Sequence, residues 1–466
     1  MVHSFRRREV DCFTSEPIIA RCCQGWFRIG PHQAAPYKPR ATYPRTALKF
    51  LIVKLSAIGD VIHALPVAAY LKEAVPGCKI SWLVEQASAD LLSNNPAIDE
   101  VIVFSGKKWV REIGQPGAWL KNMSDARHFF AAMRDAKYDA VLELQGLLKS
   151  SLLAGASGAK VVAGFDHTRE FAEQFLTHKL NVGNYFGHDV PVVELNLRVA
   201  KYVLKVLGLP EPNLPVEFPL PILPASVNVK MSALLISPFC AAPGVGSIEW
   251  VDETGSVHNL RENGGVQSSL DPNSAAIKAT APIPQVASIP NLGSADSIPI
   301  NIVLIPGTTW VTKIWPESKW IELGEQLSAQ YRCQLVLLGG PAESESNFAI
   351  AAGIEAKRPN QLVLNLTGQT SLLDLISVFR KSSLVIGADT GPLHLASASG
   401  VPKVVGVFGS TPTKRNGPYG SQCETVHLNL ECQPCYSKTC KYGTVACLVD
   451  LDVSLVLDAV LRAMPS

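Results

Sequence analysis

Short, unbroken apolar runs, each closed by a small-residue turn and followed by a helical stretch, recur along this chain in two separate blocks. The first block opens with LKFLIVK (48–54), the turn SAIGD (56–60), and apolar residues at Val61, Ile62, Leu65, Ala68, Ala69 and Leu71. A continuous apolar run reads as a strand buried on both faces, and the spacing after it as a helix. KISWLVE (79–85), EVIVF (100–104), AVLEL (140–144) and KVVAGF (160–165) repeat the strand pattern with helical stretches between them. The second block opens with INIVLIPG (300–307). It continues through CQLVLLGG (333–340), VLNLTG (363–368), LVIGA (384–388) and KVVGVFG (403–409), with helices expected near 316–331, 344–356 and 371–381 and from Gly391. Strand and helix in alternation imply an α/β fold built on doubly wound parallel sheets, here two Rossmann-like lobes.

The remaining chain divides around these blocks. Residues 1–46 carry a charge of +5, with Pro31, Pro36, Pro39 and Pro44 interrupting any helix and no apolar period, and read as a disordered extension. Residues 235–299 are rich in Gly, Pro, Ser and Asn with only two basic residues, and read as a flexible insertion between the lobes. The expected domains are therefore 47–234, a first lobe, and 300–466, a second lobe with a cysteine-rich tail. Lys and Arg total 42 against 40 Asp and Glu, a balance that argues against a nucleic-acid binder. Eleven cysteines, no evident secretory signal and no long apolar run point to a cytoplasmic protein without a spanning helix.

Ligands of doubly wound sheets sit beyond the carboxyl ends of strands, so chemistry is sought there. Asp60 follows the first turn, where a carboxylate fits two roles: a helix cap, or a base facing the cleft. PGTTWVTKIWPESKW (306–320) places Gly307, Thr308 and Thr309 between a strand and a helix, with Lys313 adding charge. Amides, hydroxyls and a lysine in that position suit phosphate oxygens better than an incidental surface loop does. GADTGPLHLASA (387–398) sets Asp389, Thr390 and Gly391 at a second strand end, with His394 one helical turn further. Cys432, Cys435, Cys440 and Cys447 leave three readings open: a structural metal, reduced thiols, or an oxidised pair.

KLSAIGDVIHALP (54–66), PGTTWVTKIWPESKW and GADTGPLHLASA together resemble glycosyltransferase family 9, the heptosyltransferases of lipopolysaccharide core assembly. LQGLLKSSLLA (144–154) and GFDHTRE (164–170) are similar more weakly. The resemblance implies a GT-B-type fold and inverting, metal-independent sugar transfer from a nucleotide diphosphate donor such as ADP-heptose, with no cofactor. It implies Asp60 as the base and Lys313 at the departing diphosphate. Thr308, Thr309, Asp389, Thr390, Gly391 and His394 would line the donor diphosphate and sugar, and Glu343 the ribose. The acceptor would be a lipid-linked or phosphorylated glycan met by the first lobe, at Lys149, Arg169 or the lysines and arginine of 107–111, with peripheral contact at the cytoplasmic membrane. Three alternatives remain. A non-catalytic sugar-nucleotide binder would use the same cleft, as would a family member with another donor sugar. A pyridine-nucleotide oxidoreductase would need a G-x-G-x-x-G after the first strand, which is missing; GVGSIE (244–249) lacks the third glycine and follows no such strand.

Overall fold

The structure is a computed structural model and describes residues 47–106, 118–235, 248–251, 256–260, 266–270 and 300–462. The expected disorder of 1–46 and the cations at 107–111 fall outside these residues. The first lobe runs β1 (Lys49–Val53), α1 (Ile58–Ala74), β2 (Lys79–Glu85), β3 (Glu100–Phe104), α2 (Ala118–Asp135), β4 (Ala140–Glu143), α3 (Leu148–Ala156), β5 (Val161–Phe165), β6 (His178–Leu180) and α4 (Val192–Val206). Its six strands are all parallel, in the order β3-β2-β1-β4-β5-β6. That order reverses direction between β1 and β4, which opens a crevice above their carboxyl ends. β1 pairs with both neighbours there, Val53 lying opposite Leu83 and Glu143.

α5 (Ala225–Leu234) follows, then β7 (Ile248–Val251), β8 (Ser256–Leu260) and β9 (Val266–Leu270). The second lobe repeats the first: β10 (Ile300–Ile305), α6 (Glu317–Gln330), β11 (Cys333–Leu337), α7 (Ser344–Lys357), β12 (Leu362–Asn365), α8 (Leu372–Arg380), β13 (Leu384–Ala388), α9 (Gly391–Ala398), β14 (Lys403–Val407), α10 (Thr413–Asn416), β15 (Cys423–Val426), α11 (Ala446–Val449) and α12 (Val453–Arg462). The strand order β12-β11-β10-β13-β14-β15 is again parallel with its reversal beside the first strand. Two Rossmann-like lobes are present, as the apolar runs imply.

Two details differ from the expectations. β7, β8 and β9 pair antiparallel inside the segment read as irregular. A meander needs only local pairing, and the sequences joining its strands, DETG and RENGG, carry the glycines that turns favour. α5, which falls in the first-lobe range, packs against the second lobe. Lys230 pairs with Asp374 at 3.2 Å, and the Ser377 hydroxyl donates to Asn228 Oδ1 at 3.1 Å.

One hydrophobic core is continuous through both lobes, joining Phe50, Ile62 and Leu65 of the first to Ile305, Leu393 and Phe408 of the second. A separate core on the far side of the second sheet holds Trp315 and Trp320, their rings edge-to-face at 5.1 Å, beneath α12.

Candidate functional site

The switch points of the two sheets face one another, and α1 and α9 bring them together. Both helices begin with glycine-bearing turns that pack on each other. A Cβ on Gly59 would lie 2.9 Å from His394 Cδ2, and one on Gly391 would lie 3.2 Å from Ile58. Any larger residue at Gly59 would hold the two helix starts apart. Across this contact the rings of His63 and His394 sit 4.3 Å apart, edge to face.

On the first-lobe side, the turn after β1 is tied to the turn after β4. Gln145 Oε1 accepts from the amides of Leu55 and Ser56 at 3.1 and 3.3 Å, and Lys54 Nζ donates to the Leu144 carbonyl at 2.8 Å. Ala57 caps α1 without a side chain to offer, and Asp60 Oδ2 accepts the Ala57 amide at 3.1 Å. Asp60 therefore fills the reciprocal half of a capping box. Its Oδ1 has no hydrogen-bond partner among the described residues, and the side chain lines a cavity of about 410 Å³. The cap is thus filled by one oxygen of Asp60, and the other is left for a second role.

On the second-lobe side, Asp389 is almost fully buried and gathers the cluster. Lys313 Nζ lies 2.7 Å from Asp389 Oδ2, the Thr411 hydroxyl donates to the same oxygen at 2.5 Å, and His394 Nε2 lies 3.4 Å from Oδ1. Burial by itself would raise the Asp389 pKa; the His394 hydrogen bond and the Lys313 charge overcome it and hold the carboxyl well below the usual range. Lys313 also stands over the Trp310 ring at 4.5 Å. The Thr308 hydroxyl reaches the Asp389 carbonyl at 3.5 Å, and Thr309 is exposed beside it. Thr390 caps α9 without a side-chain hydrogen bond, so its hydroxyl does not occupy the helix's first amides. Glu343 accepts the Gly340 amide and packs against Gly307 and Gly339, at the carboxyl ends of β10 and β11.

The structure thus assembles Thr308 and Lys313, beyond β10, with Asp389, Thr390, Gly391 and His394, beyond the adjacent β13; Gly59, next to Asp60, packs on His394, and Glu343 lies one strand over. Lys149 is placed elsewhere: its ammonium is 2.5 Å from Glu85 and does not line the Asp60 cavity, because α3 turns it toward the end of β2. Arg169 does line the cavity. Three other residues there, Arg415, Tyr436 and Tyr185, were not among those expected from sequence. Arg415 follows a strand end, β14, and the strand-end rule points to it. Tyr436 stands among the tail cysteines, and Tyr185 lies in an irregular stretch. The tail cysteines are unpaired, with Cys432 and Cys435 exposed and Cys447 buried. Burial, then the neighbouring Cys435, Cys432 and Cys440, push the Cys447 thiol up to about 11. Among the described residues no group of three or more His, Cys, Asp or Glu side chains is placed to hold a metal ion.

Two parallel lobes with facing switch points, an anion-adapted helix start on one and a carboxylate on the other, define a glycosyltransferase of the GT-B type. The chain belongs to glycosyltransferase family 9 (heptosyltransferase), whose sequence profile matches residues 126–222 and 276–446. It is 28% identical over 401 residues to lipopolysaccharide heptosyltransferase 1 of Pseudomonas aeruginosa, covering 85% of this chain and 88% of the relative. Identity to the Escherichia coli K12 protein of the same name is 24%, over 82% and 95% of the two chains. Among solved structures it is similar to E. coli heptosyltransferase WaaC with ADP-2-deoxy-2-fluoro heptose, with a TM-score of 0.56, 22% identity, and 89% and 99% of the chains covered. A family 9 glycosyltransferase from Veillonella parvula gives a TM-score of 0.61 at 17% identity, covering 91% and 99%.

Proposed function

We propose that the protein transfers heptose from ADP-heptose to a lipopolysaccharide core acceptor, inverting the anomeric centre without a metal ion. The observation that carries this reading is the juxtaposition of Asp60 with the Lys313–Asp389–His394 cluster across the Gly59–Gly391 contact. The names of the relatives supply the substrate class, since the curated ones are lipopolysaccharide heptosyltransferases and WaaC is solved with an ADP-heptose analogue.

The chemistry follows from these groups. The acceptor hydroxyl enters the cavity and loses its proton to Asp60 Oδ1. Its oxygen attacks the anomeric carbon from the face opposite the diphosphate, so a single displacement inverts that centre. The leaving diphosphate gains negative charge as the bond breaks, against the start of α9 and Lys313. Asp389 is a carboxylate and repels phosphate, so its part is to orient Lys313 and His394. Thr308, Thr309, Thr390 and Gly391 hold the diphosphate and sugar, and Glu343 the ribose. On this reading the first lobe takes the acceptor and the second the nucleotide sugar. The exposed Phe171, two residues from Arg169, supports peripheral contact with the inner face of the cytoplasmic membrane. No described helix is long and apolar enough to cross one.

A non-catalytic binder would hold the donor in the same cleft without transferring its sugar. The test is transfer from ADP-heptose to lipopolysaccharide purified from a strain lacking this gene, with product configuration read by NMR and with excess chelator as a second arm. Absence of product, a retained anomeric configuration, or loss of activity in chelator would overturn the corresponding part.

A further inference from the structure

The cavity beside Asp60 has a charge that the transfer reaction does not require. Three cations, Lys54, Arg169 and Arg415, line it against one carboxylate, Asp60. None of the three forms an ion pair with a carboxylate among the described residues. Two of them belong to the first lobe. Arg415 enters from the second, in α10 just beyond the end of β14.

Arg415 is held in place from the first lobe and the tail segment stands beside it. Its Nη1 donates to the Gly187 carbonyl at 3.0 Å, its guanidinium lies 5.4 Å from the Tyr185 ring centroid, and it lines the cavity beside Tyr436. The Tyr436 hydroxyl donates to Asn416 Oδ1. Tyr436 takes a left-handed backbone with φ 51°, costly for an aromatic residue, and its amide is anchored to the Ser410 carbonyl at 2.9 Å. A guanidinium has more donors than these contacts use, and its planar fork suits a carboxylate or a phosphate. A cation kept half-buried without an anion costs solvation free energy, which an anionic ligand would restore.

We infer that Arg415 is a specificity-determining residue for the acceptor: it binds an anionic group, carboxylate or phosphate, on the sugar whose hydroxyl faces Asp60. This rests on the transferase reading above. It adds that the acceptor subsite is completed by the second lobe, through α10 and the tail segment that presents Tyr436.

The experiment uses the full chain, ADP-heptose, and lipopolysaccharide from a strain lacking this gene in three forms: untreated, dephosphorylated, and carboxyl-reduced. Arg415→Ala should raise the KM for untreated acceptor about tenfold or more, the loss of one charge-assisted contact, while donor KM stays within about twofold. Arg415→Lys should recover part of the loss. One of the two treated acceptors should raise the wild-type KM by a similar factor, and on that acceptor Arg415→Ala should add nothing, which identifies the anion. A rise in donor KM with acceptor KM unchanged would overturn the inference, as would an Arg415→Ala penalty that persists equally on both treated acceptors. Should wild type transfer to none of the three, the transferase reading falls and this one with it. Should wild type transfer while Arg415→Ala matches it, this inference alone falls.

Discussion

On the proposed reading, Asp389 serves the diphosphate through its neighbours and not by contact of its own. Buried and anionic, it fixes one lysine and one histidine at the start of α9, so their donors are in place before a diphosphate arrives. Lys313→Ala should therefore lower kcat by roughly 10²-fold while donor KM changes little, because the lost interaction strengthens as the leaving group gains charge. Steady-state transfer with varied donor reads both constants; an unchanged kcat would remove Lys313 from the chemical step. Asp60→Asn keeps the size and one acceptor oxygen for the Ala57 amide but cannot take a proton. It should cost about 10²–10⁴-fold in kcat with the melting temperature near wild type, and turnover above half of wild type would rule out the base role. Asp60, Lys313, Asp389 and His394 were legible because each follows a strand end by a few residues. Tyr436 was not, because tertiary anchoring to Ser410 brings it to the cavity and no local pattern announces that. The placement of Lys149 was hidden for a similar reason: its position in sequence says nothing of Glu85, which reaches it from β2.

Between elements, the decisive contact is α1 against α9. Gly59 lies in the first turn of α1, and replacing a helical glycine by alanine ordinarily stabilises by up to about 1 kcal/mol. Here the added methyl would meet the His394 ring at 2.9 Å, and overpacking of this kind costs about 1–3 kcal/mol. The second effect wins, so Gly59→Ala should lower the melting temperature and reduce kcat by displacing Asp60 from the donor cluster. A raised melting temperature would show that the helix starts can separate without cost. Apolar runs announced three strands to the residue: 79–85, 100–104 and 384–388 are strands over those same residues. The edge strands β6 and β15 did not stand out. Each is three or four residues long and contains polar residues, so neither makes an apolar run. β7–β9 were hidden by composition, which reports the average of a segment and not its local alternation.

At the level of the whole molecule, the core that passes from the first sheet through α1 and α9 to the second makes separate melting of the lobes unfavourable. Two lobes were legible from the repeated pattern. Their fusion was not, since an apolar helix face reads the same whichever lobe it packs against. Calorimetry should record one cooperative transition for residues 47–462, and two resolved transitions would contradict a continuous core. The pH dependence of that transition follows from His63, buried where the lobes meet. Burial lowers its pKa well below the ordinary value, the charges of His394 and Lys54 lower it further, and Asp389 opposes them. Below about pH 6.5 the unfolded chain therefore binds a proton that the folded one refuses, and stability declines as pH falls. Above that value this group contributes no slope. The Asp389 carboxylate, with its depressed pKa, acts only in the more acid window below about pH 4. The melting temperature should thus drop between about pH 7.5 and 5.5, and His63→Gln should shrink that drop because glutamine has no proton to gain. The drop measured in His63→Gln against wild type decides the matter: an equal drop in both would move the pH sensitivity away from the lobe junction.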